Sequence, residues 1–270
     1  MRDTSRPLPF GAAARAVFDL SLEGMLWTRR SLLMGLLIAM PALFALGFRI
    51  VLAADPGAVV VTAHDFYAMI VAVYWIRNVL PLAALFYATA LVADEIEGRT
   101  LTYLVTRPLT RESIFAGKFA AYLATTLSLA LPACVLTFFL VLSARGLPAV
   151  GPAAGDLFRD LGAISLTLLA YGGLFALLGV ALKRPLIPGL VFLFGWELLV
   201  YLPGYLPRLT LTAWLRSLVT HRPAQGGLAG LLGEQVLPAA QAVPLLVVLA
   251  VAFVWAAARI FSSREYVLEQ

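Results

Sequence analysis

Apolar runs long enough to cross a bilayer recur through this chain, separated by short polar segments, and that recurrence leaves few folds open. A spanning α-helix needs about 20 mostly apolar residues. Runs at 31–53, 66–93, 118–142, 161–182, 186–202 and 242–260 meet or approach that length. Inside hydrocarbon every backbone N–H and C=O must be bonded within the protein, so such runs form helices. Charged residues are 13% of the chain, against roughly 25% in soluble domains. The expected fold is an all-α polytopic membrane protein with six transmembrane helices.

The remaining charges set an orientation, because lysine and arginine concentrate on the cytoplasmic side of spans. With the six runs as spans, 13 of the 20 Lys and Arg residues lie on one side. They are five up to Arg30, four from Arg99 to Lys118, Lys183 and Arg184, then Arg259 and Arg264. This bias predicts cytoplasmic termini in the plasma (inner) membrane, with 203–241 outside. The net charge of +5 is a topology signal rather than a nucleic-acid surface, since no polar domain gathers it. The expected domains are a cytoplasmic N-terminus with an interfacial elbow helix (1–30), a six-span domain (31–261) and a cytoplasmic tail (262–270).

Local patterns refine the layout. In 10–27, Arg15, Asp19 and Glu23 make one polar stripe on a helix, suited to the membrane interface or to packing on the protein's own spans. The 66–93 run exceeds a bilayer's need, and Pro81 cannot bond the carbonyl of Arg77. It is therefore divided into an outer or re-entrant helix, 65–76, and a second span, 77–93, with Arg77 at the outer interface. One kinked helix is the alternative. Gly172, Gly173 and Gly179 suit close packing of the fourth span, and a short helix is expected over 211–219.

The polar stretch between the second and third runs, 93–118, has a helical pattern of its own. Thr100, Leu101, Leu104 and Val105 share a face, with Glu97 and Arg99 beside them. Pro108 ends that helix. Thr110 can cap the next, with Glu112 in its first turn, where the helix dipole favours negative charge. The result is a short helix under the membrane, shaped as a docking element.

Glu95, Gly98, Arg99, Thr100, Leu101, Leu104, Arg107, Pro108, Arg111, Gly117 and Lys118 resemble the cytoplasmic loop of ABC-2 type transporter permeases. The branch most resembled contains the copper-processing permease of nitrous oxide reductase maturation. The 171–179 stretch, Lys183 to Pro185, Trp196, Glu197 and the Arg264 to Tyr266 tail also match that pattern. Arg99, standing between Gly98 and Thr100, departs from it. The resemblance implies a permease subunit, a coupling helix between spans 2 and 3, and pairing as a homodimer or with a related permease. It also implies a separate ABC ATPase docked on Glu95, Arg99, Thr100, Leu101, Leu104, Val105 and Arg107. The alternative is a membrane anchor or mechanical relay that works with the same ATPase and moves no solute.

Other chemistries lack their residues. Gly117 and Lys118 are followed by Phe119 and open a span, so they make no phosphate-binding loop. This chain is expected to bind no cofactor and to have no enzymatic activity of its own, with ATP and magnesium held by the partner. His64 and His221 have no helically spaced metal-binding partner. Cys134 is the single cysteine, so no internal disulfide can form. Glu197 is the acidic residue that falls inside a predicted span. It suits either a translocation path or a structural pin, bonded to the outer segment or paired with Arg49. Trp196, Tyr201, Tyr205 and Trp214 suit an interfacial aromatic belt.

Overall fold

The computed structural model describes residues 9–26, 28–55, 61–97, 110–143, 150–202, 204–219 and 237–263. These residues are helical and connecting segments only. Helix α1 (Phe10–Leu26) precedes α2 (Arg29–Ala54), and Thr28 joins them. The Thr28 hydroxyl accepts from the Ser31 N–H at 3.2 Å and caps α2, while the Ser31 hydroxyl donates back to the Met25 carbonyl. Within α2, Pro41 has no N–H to offer the Leu37 carbonyl. The Tyr74 hydroxyl supplies that bond at 2.8 Å, and the Trp75 indole N–H donates to the next carbonyl, Ile38, at 3.1 Å. Aromatic donors from a neighbouring helix thus replace what the proline removed, as apolar surroundings require.

The 66–93 run is not divided. Helix α3 (Ala63–Met69) continues through a π-helical stretch (Ile70–Val79) into α4 (Leu80–Glu97) without a break. The Leu80 N–H reaches back five residues to the Trp75 carbonyl. The wider ladder ends next to Pro81, where the chain has no N–H to place. The proline therefore marks a change of helical type, not a second helix start. Arg77 accordingly lies at the centre of the 29-residue apolar span Ala63–Leu91, not at its outer edge, and it is 5% exposed.

Helix α5 (Arg111–Leu142) begins at the Thr110 cap, which accepts from the Ser113 N–H at 3.3 Å, with Glu112 in the first turn. Helix α6 (Val150–Ala181) starts well before the expected 161. Gly172, Gly173 and Gly179 meet three different neighbours. A β-carbon on Gly179 would stand 2.9 Å from the Thr89 carbonyl oxygen of α4, and one on Gly172 would overlap the Tyr122 ring of α5. One on Gly173 would come within 3.1 Å of the Ala250 carbonyl oxygen in the final helix. Close approach at all three makes α6 the hub of the bundle, with α3–α4 beside it. In their most apolar stretches 72% and 67% of the residues are buried, against 22% in Ser31–Ala54 and 17% in Ala239–Ser263.

The 186–202 run is not a single α-helix. Helix α7 (Leu186–Phe194) stops after nine residues, and a 3-10 turn (Trp196–Tyr201) follows. A second 3-10 turn (Leu206–Leu209) leads into α8 (Leu211–Arg216). Helix α9 (Ala239–Ser263) closes the described bundle. Five helices among the described residues are long and apolar enough to cross a membrane: Ser31–Ala54, Ala63–Leu91, Arg111–Leu142, Ala153–Ala181 and Ala239–Ser263. The shorter Leu186–Tyr201 stands where the fifth of the six spans was expected. The protein is thus a multi-pass membrane protein by the hydropathy of its helices.

Helix α1 crosses the start of α5 at Gly117. A β-carbon there would lie 2.9 Å from the Val17 β-carbon and 3.1 Å from the Phe18 nitrogen. Of the two expectations for α1, packing on the protein's own spans is what these contacts record. Next to it, the buried Lys118 ammonium donates to the Leu91 carbonyl at 2.9 Å, near the end of α4. The glycine and lysine that failed as a phosphate loop thus join three helices.

Candidate functional site

Two places carry the functional expectations. The first is the docking segment. Glu95 belongs to the last turns of α4 by its backbone. Arg99, Thr100, Leu101, Leu104, Val105 and Arg107 lie outside the described residues. Its flanks are described: α4 runs to Glu97, and the Thr110 cap opens α5.

The second place lies inside the bundle, around Glu197. Nine residues of α7 rise about 14 Å at about 1.5 Å each, roughly half of a ~30 Å hydrocarbon core. This helix is therefore too short to cross alone, and its last carbonyls, beside the buried Leu193, need donors. The guanidinium of Arg77 faces that end, with Nη2 3.5 Å from the Leu193 carbonyl oxygen. Positive charge is favoured at a helix C-terminus.

The chain then turns, and α8 brings a second helix end to the same region. Its free N–H groups need acceptors. Glu197, fully buried, supplies two: Oε1 accepts from the Leu211 N–H and Oε2 from the Thr212 N–H, each at 3.1 Å. The Thr210 hydroxyl accepts from the third, Ala213, at 3.3 Å. The Thr212 hydroxyl in turn bonds the Tyr171 hydroxyl of α6 at 2.9 Å. Two broken helices thus end in the interior, the carbonyl end facing a cation and the N–H end an anion. Arg77 and Glu197 do not pair with each other, although Tyr171 lies within electrostatic reach of both. Arg49 is not the partner of Glu197 either, since it donates to the Ser143 hydroxyl at 2.6 Å.

The aromatic group divides. Trp196, Tyr201 and Tyr205 are exposed at 47%, 45% and 78%, as belt residues would be, whereas Trp214 packs against the core. The Trp196 indole donates to the Leu209 carbonyl at 2.9 Å, and the buried Arg216 lies over the Tyr201 ring and donates to its hydroxyl at 3.1 Å. These bonds tie the 3-10 turns and α8 into one unit.

Sequence reasoning missed a second buried acid. Asp160 of α6 is fully buried, within electrostatic reach of Tyr67 and Cys134. The Tyr67 hydroxyl and the Cys134 sulfur lie 3.5 Å apart. The signal was hidden because the predicted span began at 161, one residue too late to include it. Among the described residues no three His, Cys, Asp or Glu side chains gather as metal ligands would.

A family model described as ABC-2 family transporter protein matches residues 21–196, about two thirds of the chain. No curated protein matches it.

Proposed function

The chain belongs to the ABC-2 family of transporter proteins, and from that membership we infer that it is the membrane permease subunit of an ABC transporter. A separate ATPase hydrolyses ATP with magnesium and drives solute movement through this chain. The observation that carries the reading is the family match, which runs from α1 through the 98–109 segment into the 3-10 turn after α7. Two copies, or this chain and a related permease, would form the complete path. Within the family, the loop pattern from Glu95 to Lys118 favours the branch of the copper-processing permease.

In this reading the ATPase seats on the Thr100, Leu101, Leu104 and Val105 face, framed by Glu95, Arg99 and Arg107. Its closure pushes on α4 and α5, which flank the segment. The six-span count, the domain limits and the cytoplasmic termini belong to the same reading, with the broken α7 segment taken as the fifth crossing. The charge bias supports that orientation.

Co-purification tests it. Burying Leu104 in a partner groove stabilises by about 1.5–3 kcal/mol. Leu104→Asp should therefore weaken assembly about tenfold or more while the variant inserts and folds normally. Charge reversal at Arg107 should do less, since exposed ion pairs contribute at most about 1 kcal/mol. A folded Leu104→Asp chain that still binds and stimulates the ATPase would remove docking through this face. Stimulated ATPase in liposomes, without flux of any solute, would favour the relay.

A further inference from the structure

The Arg77 guanidinium is buried with most of its bonding capacity unused. Arginine carries five N–H donors and stays protonated at any physiological pH. Here Nη2 makes a long 3.5 Å contact to the Leu193 carbonyl, and the Nε–H has no acceptor. The Glu197 carboxylate makes no bond to it; its oxygens accept from the Leu211 and Thr212 N–H groups. A second observation is independent of side-chain bonding: Arg77 lies within the π-helical stretch Ile70–Val79. Such stretches recur at functional sites, because the wider turn re-aims side chains.

We propose that Arg77 is the receptor for an oxyanion, a phosphate or carboxylate group, on the molecule this permease moves. The proposal rests on the permease reading and deepens it. A guanidinium fork bonds two oxygens of such a group at once, and a buried cation with spare donors gains most from that pairing. The wall facing Arg77 is α7, whose Leu193 carbonyl is its long contact. A small displacement of that broken helix would free Nη2 and present the fork. Glu197 is engaged at its own helix end, by the Leu211 and Thr212 N–H groups.

Binding can be read on the full-length chain alone, purified in neutral detergent, by thermal unfolding followed through tryptophan fluorescence. One arm titrates sodium phosphate against sodium chloride at equal ionic strength. The other adds phosphatidylglycerol against phosphatidylcholine in mixed micelles. Wild type should gain roughly 2–5 °C in Tm per tenfold rise in the effective anion beyond its Kd. A response to free phosphate points to a soluble anionic solute, and one to phosphatidylglycerol alone points to a lipid headgroup. Arg77→Met should abolish the response, Arg77→Lys should blunt it by losing the fork, and the exposed Arg159→Gln should leave it intact. A wild-type protein that responds in neither arm would overturn the proposal, as would a full response in Arg77→Met. If Arg77→Met does not fold, a wild-type response in Arg77→Lys would overturn it. No ATPase takes part, so failure here leaves the docking result untouched, and failed docking leaves this one untouched.

Discussion

Replacing Glu197 with leucine should be among the more damaging single changes in this protein, through two backbone groups it leaves behind. Both carboxylate oxygens accept N–H groups at the start of α8, at 3.1 Å each, from a fully buried position. Leucine is similar in bulk, so the cavity left is small. The loss is that of two acceptors where no water replaces them. An orphaned buried donor costs about 1–3 kcal/mol, so the pair costs about 2–6 kcal/mol. Glutamine keeps one acceptor oxygen, turns an NH2 group toward the other N–H and loses the charge that suits a helix N-terminus. Its cost should be about 1.5–3 kcal/mol. Stability should therefore fall in the order wild type, Glu197→Gln, Glu197→Leu, measured as the SDS fraction that unfolds the purified chain in mixed micelles. Thr210→Val should couple with either change, because Thr210 and Glu197 cap the same helix end. Leucine and glutamine variants as stable as wild type would refute the capping argument. If they also showed altered transport, the carboxylate would belong to the solute's path.

Two further outcomes can be measured, the first from the charge bias and the second from the fold. In a Cys134→Ala background, Gln225→Cys should be labelled from outside and Thr106→Cys only after permeabilisation, and the reverse pattern would end the proposed orientation. Gly117→Leu should detach α1, with an overpacking cost of about 1–3 kcal/mol, visible as faster proteolysis at Arg15. Val17→Gly should not rescue it, since the closest obstacle is the Ala14 backbone carbonyl, and full rescue would show that the contact is misjudged.

The membrane-spanning helices were legible because length and hydropathy are carried by every residue of a run. What escaped depended on which atom bonds which. Pro81 reads as a break when an α-helical ladder is assumed, but the π ladder beside it ends where the missing N–H is harmless. The 186–202 run is continuously apolar, so nothing in its hydropathy announces that the α-helix stops at Phe194. Asp160 lies beyond the apolar stretch that defined its span, although its helix continues back to Val150. For Glu197, path and pin differ only in partners, and those partners sit 14 and 15 residues further along. The docking face, the most specific pattern in the sequence, falls at 98–109, outside the described residues.

The seam at Gly117 joins a helix with exposed apolar residues, Phe10 and Leu20, to the first turns of the helix that leaves the docking segment. With backbone and side chain this close, α1 and the start of α5 are joined as one lever. In the proposed permease, with α1 at the cytoplasmic surface as well as packed on α5, a twist of α5 about the membrane normal would sweep α1 sideways through the headgroup layer like an oar. The stroke then works against lipid packing as well as against protein. In the proposed permease, the stiffness of the cytoplasmic leaflet would become part of the load on the ATPase, and a stiffer leaflet should slow turnover with no change in any protein contact.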